Sequence, residues 1–248
     1  MLIPFNHSEP ALKTVTPAKV VPVTSHVSPW LSHLAYPLGR YALLPLYFGQ
    51  IEVVGQEHLP TAGPIILAPT HRSRWDAFMI PYVAGEDITG RQLRFMVSAN
   101  EMKGPQGWFI RRFGGFPIDT QQPGISSLRH GVELLRRGET LVMFPEGNIF
   151  RDNCLHPLKP GLARLALQAE SSQPGLGIKV VPININYSHP FQPWRCNVKI
   201  SLGSPLQVEN YSRPSTKQSA QQLTTDLEAA FKNLSPHFTP STGTIANC

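Results

Sequence analysis

Short apolar runs alternate with segments of helical periodicity over most of the chain, and this alternation most strongly limits the folds open to it. The runs "PIILAP" (64–69) and "IKVVPINI" (178–185) have the length and composition of buried strands. Between such runs, apolar residues recur at helical spacing, as over 125–135 and 162–169. Alternating strands and helices predict an α/β fold with a mostly parallel central sheet flanked by helices.

Proline marks the two ends of the predicted folded body. The chain has 25 prolines in 248 residues, about twice the usual share, and they are frequent near both termini. We therefore predict a disordered or irregular N-terminal tail at 1–28 and an irregular tail at 236–248. The folded domain is predicted to span 50–235.

Residues 29–49 are predicted to form a separate N-terminal helical segment at a membrane interface. Its apolar part, Trp30–Phe48, contains His33, Arg40 and two prolines, so it lacks the roughly 20 uninterrupted apolar residues of a membrane span. It is rich in Trp and Tyr, which favour the headgroup level. We predict that it lies on a membrane surface, and packing on the protein's own core is the alternative.

Charge and cysteine content narrow the partners and the compartment. The net charge is +6 and the pI about 9.4, which favours an anionic partner such as a lipid surface or an acidic carrier. No run of basic residues is interleaved with stacking aromatics, so no nucleic-acid partner is predicted. Three cysteines without a CxxC pair favour a reducing compartment and no structural metal. Since the start does not read as a secretory signal, we expect a peripheral or monotopic membrane protein on the cytoplasmic face.

Polar residues interrupt the pattern where two predicted strands end. His71 and Asp76 follow "IILAP", and Glu146 follows "LVMFP". Sites in parallel sheets collect at the carboxyl ends of strands. A carboxylate that accepts a hydrogen bond from one imidazole nitrogen leaves the other nitrogen free to take a proton from an alcohol. His71 and Asp76 are therefore candidates for a general base and its orienting acid, although a lone histidine near an aspartate is more often a structural pair.

Other catalytic chemistries lack their motifs. The sequence has no GxSxG elbow, no phosphate-binding P-loop, no HExxH and no GxGxxG after a strand. A serine acyl-enzyme, nucleotide phosphoryl transfer, zinc proteolysis and a dinucleotide cofactor are therefore not supported. The nucleophile expected is a substrate hydroxyl.

Four short blocks, in order, resemble those of the glycerolipid acyltransferases, the family typified by lysophosphatidic acid acyltransferases. "HRSRWD" (71–76) resembles the family's H-x4-D block, and "GGFPID" (114–119) its second block. "FPEG" (144–147) resembles the third block, and "VVPI" (180–183) the fourth. The resemblance covers roughly residues 50–205, and it makes 50–235 the expected acyltransferase domain.

The resemblance implies a reaction and its participants. His71 would deprotonate the hydroxyl of a lysoglycerolipid, which then attacks an acyl thioester on coenzyme A or acyl carrier protein. Asp76 would orient the histidine, and Glu146 and Gly147 would seat the glycerol. Backbone N–H groups at the turns after His71 and Glu146 are expected to bind the oxyanion. No metal or other cofactor is implied.

The sequence departs from the family at two arginines thought to hold the acceptor's phosphate. Thr120 and Ile149 stand where the family usually has arginine. We expect Arg151, Arg74, Arg111 or Arg112 to supply the charge, because arginine can bind a phosphate through two hydrogen bonds. The implied acceptor is 1-acylglycerol-3-phosphate. The alternatives are a lysolipid without a phosphomonoester, a hydrolase acting through the same pair, and a non-catalytic lipid-binding module.

Overall fold

A computed structural model describes residues 23–119, 124–211 and 215–235. In this part of the chain, helices cover both faces of one mixed sheet. The strands are β1 (Ile51–Val54), β2 (Ile65–Pro69), β3 (Leu93–Ser98), β4 (Gly115–Ile118), β5 (Thr140–Val142), β6 (Lys179–Tyr187), β7 (Val198–Leu202) and β8 (Leu206–Gln207). The helices are α1 (Pro29–Leu38), α2 (Leu44–Tyr47), α3 (Asp76–Ala84), α4 (Glu86–Thr89), α5 (Gly104–Arg112), α6 (Ile125–Arg136), α7 (Gly161–Ser172) and α8 (Thr216–Leu234).

The sheet has the order β1-β7-β6-β2-β5-β3-β4, with β8 beside β6. The pairings around β2, β3, β4 and β5 are parallel, as is that of β1 with β7. Only β7 and β8 run antiparallel to β6 among the described strands. The predicted fold class, an α/β protein with a mostly parallel sheet and an N-terminal helical segment, is confirmed.

The central strand β2 is buried on both faces. Ile66 and Ala68 pack into an apolar cluster that includes the inner faces of α6, α7 and α8. Ile65 and Leu67 point the other way, into a cluster with α3 and the end of the N-terminal helical segment. This two-sided burial is typical of parallel strands, and it holds the polar turn that follows Pro69 on a rigid support.

Two strand ends differ from the predicted ones. The strand predicted to end at Pro145 ends at Val142, because the chain then turns, and the Gly147 N–H donates to the Phe144 carbonyl at 3.1 Å. In contrast, β6 continues beyond the predicted 185 to Tyr187, because its second half pairs with β7 as well. The short strand β8 was not predicted.

The N-terminal helical segment is continuous from Pro29 to Tyr47 and changes from α-helix to π-helix and back. A π-helical stretch, Gly39–Leu43, joins α1 to α2. Tyr36 and Leu44 are buried against the body. On the other side, large apolar side chains are exposed at Trp30, Leu34, Leu38, Tyr41 and Leu46. Within the described ranges, no helix combines the length and the hydrophobicity needed to cross a bilayer.

The described part of the predicted N-terminal tail is irregular but packed on the domain. Val27 forms an antiparallel bridge with Phe113, and the Ser28 N–H donates to the Arg112 carbonyl at 2.9 Å. The predictions for 1–22 and 236–248, and the position of Thr120, lie outside the described residues.

Candidate active site

His71 and Asp76 form a hydrogen-bonded pair at the carboxyl end of β2. The turn after Pro69 carries the histidine, and α3 begins at the aspartate. The imidazole Nδ1 lies 3.0 Å from Oδ2 of Asp76, so Nδ1 carries the hydrogen that the carboxylate accepts. The carboxylate is fully buried, whereas the imidazole is 20% exposed. Nε2 of His71 hydrogen-bonds to no group in the described part of the chain, which leaves it open to a substrate.

The Asp76 carboxylate organises the whole turn. Besides the imidazole, Oδ2 accepts hydrogen bonds from the backbone N–H groups of Arg72 (2.6 Å) and Ser73 (2.8 Å). The Tyr187 hydroxyl, at the end of β6, donates to Oδ1 at 2.8 Å. Burial, and then the neighbouring Asp76 charge, raise the pKa of Tyr187 well above its ordinary value, so the phenol stays a donor. Four donors thus compensate a buried carboxylate.

The loop after β5 covers one face of the imidazole. The rings of His71 and Phe144 are stacked, with centroids 4.1 Å apart. The Phe150 N–H donates to the His71 carbonyl at 2.8 Å. The imidazole is therefore fixed by a ring contact as well as by its carboxylate, and two loops that are distant in sequence meet at the base.

Glu146 belongs to the same site, but its carboxylate is buried and engaged by the protein. One oxygen accepts the His71 backbone N–H at 2.7 Å, and the other accepts the His156 N–H at 3.1 Å. Arg72 donates to both oxygens, at 2.8 and 3.0 Å, from a side chain only 3% exposed. In this arrangement Glu146 ties the loop after β5 to the loop after β2. It presents no open oxygen to the glycerol of an acceptor.

The N–H groups expected to bind an oxyanion are already used. Those of Arg72 and Ser73 donate to Asp76, that of His71 donates to Glu146, and that of Gly147 donates to Phe144. For His71, Arg72 and Ser73 the physical reason is the burial of the Asp76 and Glu146 carboxylates, which require these donors to offset their desolvation.

Gly147 is the seat of a lysine that the sequence argument did not single out. Its φ is +69°, a left-handed conformation that glycine adopts without steric cost. A Cβ at this position would lie 2.8 Å from Cδ, Cε and Nζ of Lys159. The ammonium group therefore lies over Gly147. Lys159 forms no ion pair within the described residues.

The structure does not gather the four candidate arginines around the base. Arg74 is 75% exposed in side chain and pairs with Glu101 at 3.1 Å. Arg151 lies over the Phe191 ring at 5.6 Å. Arg111 and Arg112 lie at the end of α5. In the described part of the chain, none of the four hydrogen-bonds to His71, Asp76 or Glu146.

Three site residues were missed by the sequence argument. Arg72 lies inside the HRSRWD block, but nothing in the sequence indicated a buried partner for it. Tyr187 and Lys159 belong to no block that was singled out. Only the parallel pairing of β2 with β6, and the fold of the loop after β5, bring these two side chains to the site.

The buried Asp76 carboxylate fixes the His71 imidazole at the carboxyl edge of the sheet and leaves one ring nitrogen open. This is the arrangement of an enzyme that activates an acceptor hydroxyl by general base catalysis. Residues 50–186 match the acyltransferase family. The chain belongs to this family, and it is an O-acyltransferase.

Some known proteins are similar to this chain in sequence, and one solved structure is similar to it in fold. A 1-acyl-sn-glycerol-3-phosphate acyltransferase of Bacillus subtilis is 25% identical over 191 residues, which are 75% of this chain and 88% of that protein. A protein of the same name from Streptococcus pneumoniae is 25% identical over 155 residues, covering 60% of this chain and 52% of that protein. The crystal structure of the 1-acyl-sn-glycerophosphate acyltransferase of Thermotoga maritima has the same fold, with a TM-score of 0.61 over 83% of this chain and 79% of that one, at 20% identity.

Proposed function

We propose that this enzyme transfers a fatty acyl group from an acyl thioester to the free hydroxyl of 1-acylglycerol-3-phosphate, a step of phospholipid synthesis. The observation that carries the proposal is the His71–Asp76 pair with its open Nε2. The names of the bacterial relatives support the acceptor. Acyl-CoA and acyl carrier protein are both proposed as donors, because either presents the same thioester.

The reaction uses the pair as a base and then as an acid. Nε2 of His71 takes the proton of the acceptor hydroxyl while the oxygen attacks the thioester carbonyl carbon. The buried Asp76 charge stabilises the imidazolium that forms. The tetrahedral adduct collapses with cleavage of the C–S bond, and the imidazolium returns its proton to the departing thiolate. The ester and the free thiol leave, and the histidine is neutral again.

We propose that Glu146 is a positioning residue in this reaction. Its carboxylate holds the backbone of His71 at 2.7 Å and neutralises the buried Arg72. The resemblance implied a direct contact of Glu146 with glycerol, but both carboxylate oxygens of Glu146 already accept hydrogen bonds from the protein. The contact with the acceptor that the resemblance implied for this block would then be made by Gly147 and by Lys159, which lies over it.

Lys159 is the proposed cation for the acceptor's phosphate. Lys159 is exposed, and its ammonium lies over Gly147. Gly147 directly follows Glu146, whose carboxylate holds the His71 backbone. A cation on this loop would attract the phosphate of the acceptor whose hydroxyl meets the imidazole. An ammonium attracts a phosphate as a point charge, without the two-pronged geometry of arginine. This assignment compensates for the two arginines that the chain lacks.

The test of the reaction is lipid mass spectrometry on purified protein supplied with lysolipids and acyl thioesters. His71→Ala and Asp76→Asn are expected to lower kcat by about a hundredfold or more, the usual share of a general base. His189→Asn, at an exposed histidine, is the control and should keep wild-type rates. Unchanged turnover in His71→Ala would reject the base. Free fatty acid in place of esterified lipid would assign the pair to a hydrolase, and binding of lipid with no product would leave a binding module.

The test of the acceptor compares 1-acylglycerol-3-phosphate with 1-acylglycerol, which lacks the phosphate. Lys159→Gln should raise KM for the phosphorylated acceptor by about tenfold, the size of one charge-assisted contact, and leave KM for the neutral one unchanged. Gly147→Ala should do the same by displacing the lysine. Gly138→Ala is the matched control, because it has a φ of +74° and open space around its Cβ. Equal losses on both acceptors would contradict a phosphate role for Lys159.

We also propose that the exposed apolar face of the N-terminal helical segment lies on the membrane that contains the acceptor. The segment is joined to the catalytic turn at its far end. The Tyr47 ring lies 4.6 Å from that of Trp75, the residue before Asp76, and its hydroxyl donates to the Gln192 carbonyl at 2.8 Å. The Gln192 side chain in turn accepts from Ser73 at 2.9 Å. A membrane-bound segment would thus hold the base at a constant distance from the lipid surface.

A further inference from the structure

A second cationic site lies between α5 and the segment that precedes α1. A cavity of about 440 Å³ is lined there by His26, Gly104, Trp108, Arg111 and Arg112. None of these residues hydrogen-bonds to His71, Asp76 or Glu146 in the described part of the chain. The lining of the cavity includes none of the residues to which the reaction described above assigns a role.

The guanidinium groups of this cavity have no carboxylate partner among the residues that the structure describes. Neither Arg111 nor Arg112 forms an ion pair with a described residue. Arg112 lies over the Trp108 ring, with 4.3 Å between its central carbon and the ring centroid. Another pair at a helix end, Arg136 and Arg137, has the opposite environment, because both pair with Glu133 at 3.4 and 3.0 Å. Within the described ranges, the cavity therefore has two unpaired guanidinium groups and an aromatic wall.

The cavity adjoins the apolar surface of the N-terminal helical segment. The Ser28 N–H, at the start of α1, donates to the Arg112 carbonyl. Trp108 and Phe109 of α5 are exposed, as is Trp30 of α1. Exposed aromatic side chains next to paired arginines are the composition found at the headgroup level of a membrane, where tryptophan and arginine meet lipid phosphates.

We infer that this cavity binds the phosphate of an anionic bilayer lipid that is not consumed in the reaction. The inference rests on the membrane association proposed above. Arg111 and Arg112 would hold the phosphate oxygens, and Trp108 would lie against the upper part of the lipid chains. The site would fix the rotation of the enzyme on the surface, because α1 and α5 would be anchored together.

The test is co-sedimentation of the full chain with phosphatidylcholine vesicles, made with and without phosphatidylglycerol. Arg111→Gln/Arg112→Gln should weaken binding to the anionic vesicles by roughly 30-fold, from about 1 kcal/mol for each basic residue near an anionic surface. Binding to pure phosphatidylcholine should change little. Arg136→Gln/Arg137→Gln removes the same charge and should keep wild-type binding. Arg111→Lys/Arg112→Lys, which keeps the charge, should recover part of the loss.

Each other result overturns the inference. Equal losses in the two arginine pairs would mean that overall charge, not this cavity, attracts the membrane. No preference of the wild type for anionic vesicles would remove the ligand. If Arg111→Gln/Arg112→Gln also raised KM for a short-chain, water-soluble 1-acylglycerol-3-phosphate, the cavity would belong to the acceptor site. Because sedimentation needs no turnover, these outcomes are separate from failure of the proposed reaction.

Discussion

At the scale of single residues, the site is built around the Asp76 carboxylate. One oxygen holds the imidazole and two backbone N–H groups of the turn, and the other accepts the Tyr187 hydroxyl. Fixing the imidazole and folding the turn are therefore the same set of contacts. An acid that served only the histidine would need other donors to offset its burial.

Tyr187→Phe tests this arrangement. The variant leaves one buried carboxylate oxygen without its donor, and a hydrogen bond to a charged group contributes about 1.5–3 kcal/mol. We expect kcat to fall by about tenfold and Tm to fall as well, since the same bond serves catalysis and stability. Steady-state kinetics and thermal denaturation are the measurements.

The control for Tyr187→Phe is Tyr36→Phe. Tyr36 is also buried, and burial followed by the charge of Glu86 raises its pKa to about 12, but its hydroxyl has no hydrogen-bond partner among the described residues. Losing that hydroxyl should leave kcat unchanged. A Tyr187→Phe enzyme with wild-type kcat would show that Asp76 is held without the phenol.

At the scale of elements, the site is a junction of two loops that follow neighbouring strands. The buried Arg72–Glu146 pair joins the loop after β2 to the loop after β5, and the strands themselves pair in parallel. Arg72 contacts the loop after β5 at a second point, because it also donates to the Cys154 carbonyl at 2.8 Å. The spacing of the loops is therefore set by an ion pair that solvent does not reach.

Glu146→Gln should be strongly destabilising for this reason. Removing one partner of a buried pair leaves an uncompensated charge and costs about 3–5 kcal/mol. We expect a lower midpoint in chemical denaturation, together with a lower kcat because the His71 backbone loses its anchor. Arg72→Gln/Glu146→Gln should recover part of the stability, since neither charge then remains.

The matched control is Glu133→Gln, which removes an exposed partner of Arg136 and Arg137. Surface pairs contribute about 0–1 kcal/mol, so its midpoint should barely move. If Glu146→Gln kept wild-type stability and raised only KM for the acceptor, the result would contradict this positioning role. It would favour the direct contact of Glu146 with glycerol that the family resemblance implied.

At the scale of the whole molecule, the two faces of the N-terminal helical segment have different roles. One face packs on α3 and its neighbours, where Arg40 lies over the Tyr82 ring at 4.7 Å and pairs with Asp87. The opposite face is apolar and uncovered. With a net charge of +6, the molecule presents both an apolar and an electrostatic attraction to an anionic lipid surface.

Leu34→Glu/Leu38→Glu should weaken vesicle binding and activity on vesicle-borne acceptor, because charged side chains would replace exposed apolar ones on the same face of α1. Activity on a water-soluble acceptor should stay at the wild-type level, since both side chains are more than half exposed. Vesicle sedimentation and parallel assays on the two acceptors provide the measurement. Gln218→Glu/Gln221→Glu, on the exposed side of α8, adds the same charge elsewhere and should have no effect.

The sequence by itself determined the alternation of strands and helices, the order of the four blocks, and the pair His71–Asp76, because these depend on local periodicity and on residues five positions apart. The N-terminal helical segment was also predictable, since its mixed composition rules out a span. These features are short-range, and short-range pattern is what a single sequence displays.

Only the tertiary structure decided what surrounds the pair. Tyr187 reaches Asp76 because β6 pairs with β2, Arg72 meets Glu146 because two loops share one edge of the sheet, and Lys159 rests where Gly147 has no side chain. Each of these contacts joins residues whose separation along the chain carries no periodic signal. Their partners are chosen by burial, because a charge or hydroxyl taken out of water must find its donor or acceptor wherever the fold brings one.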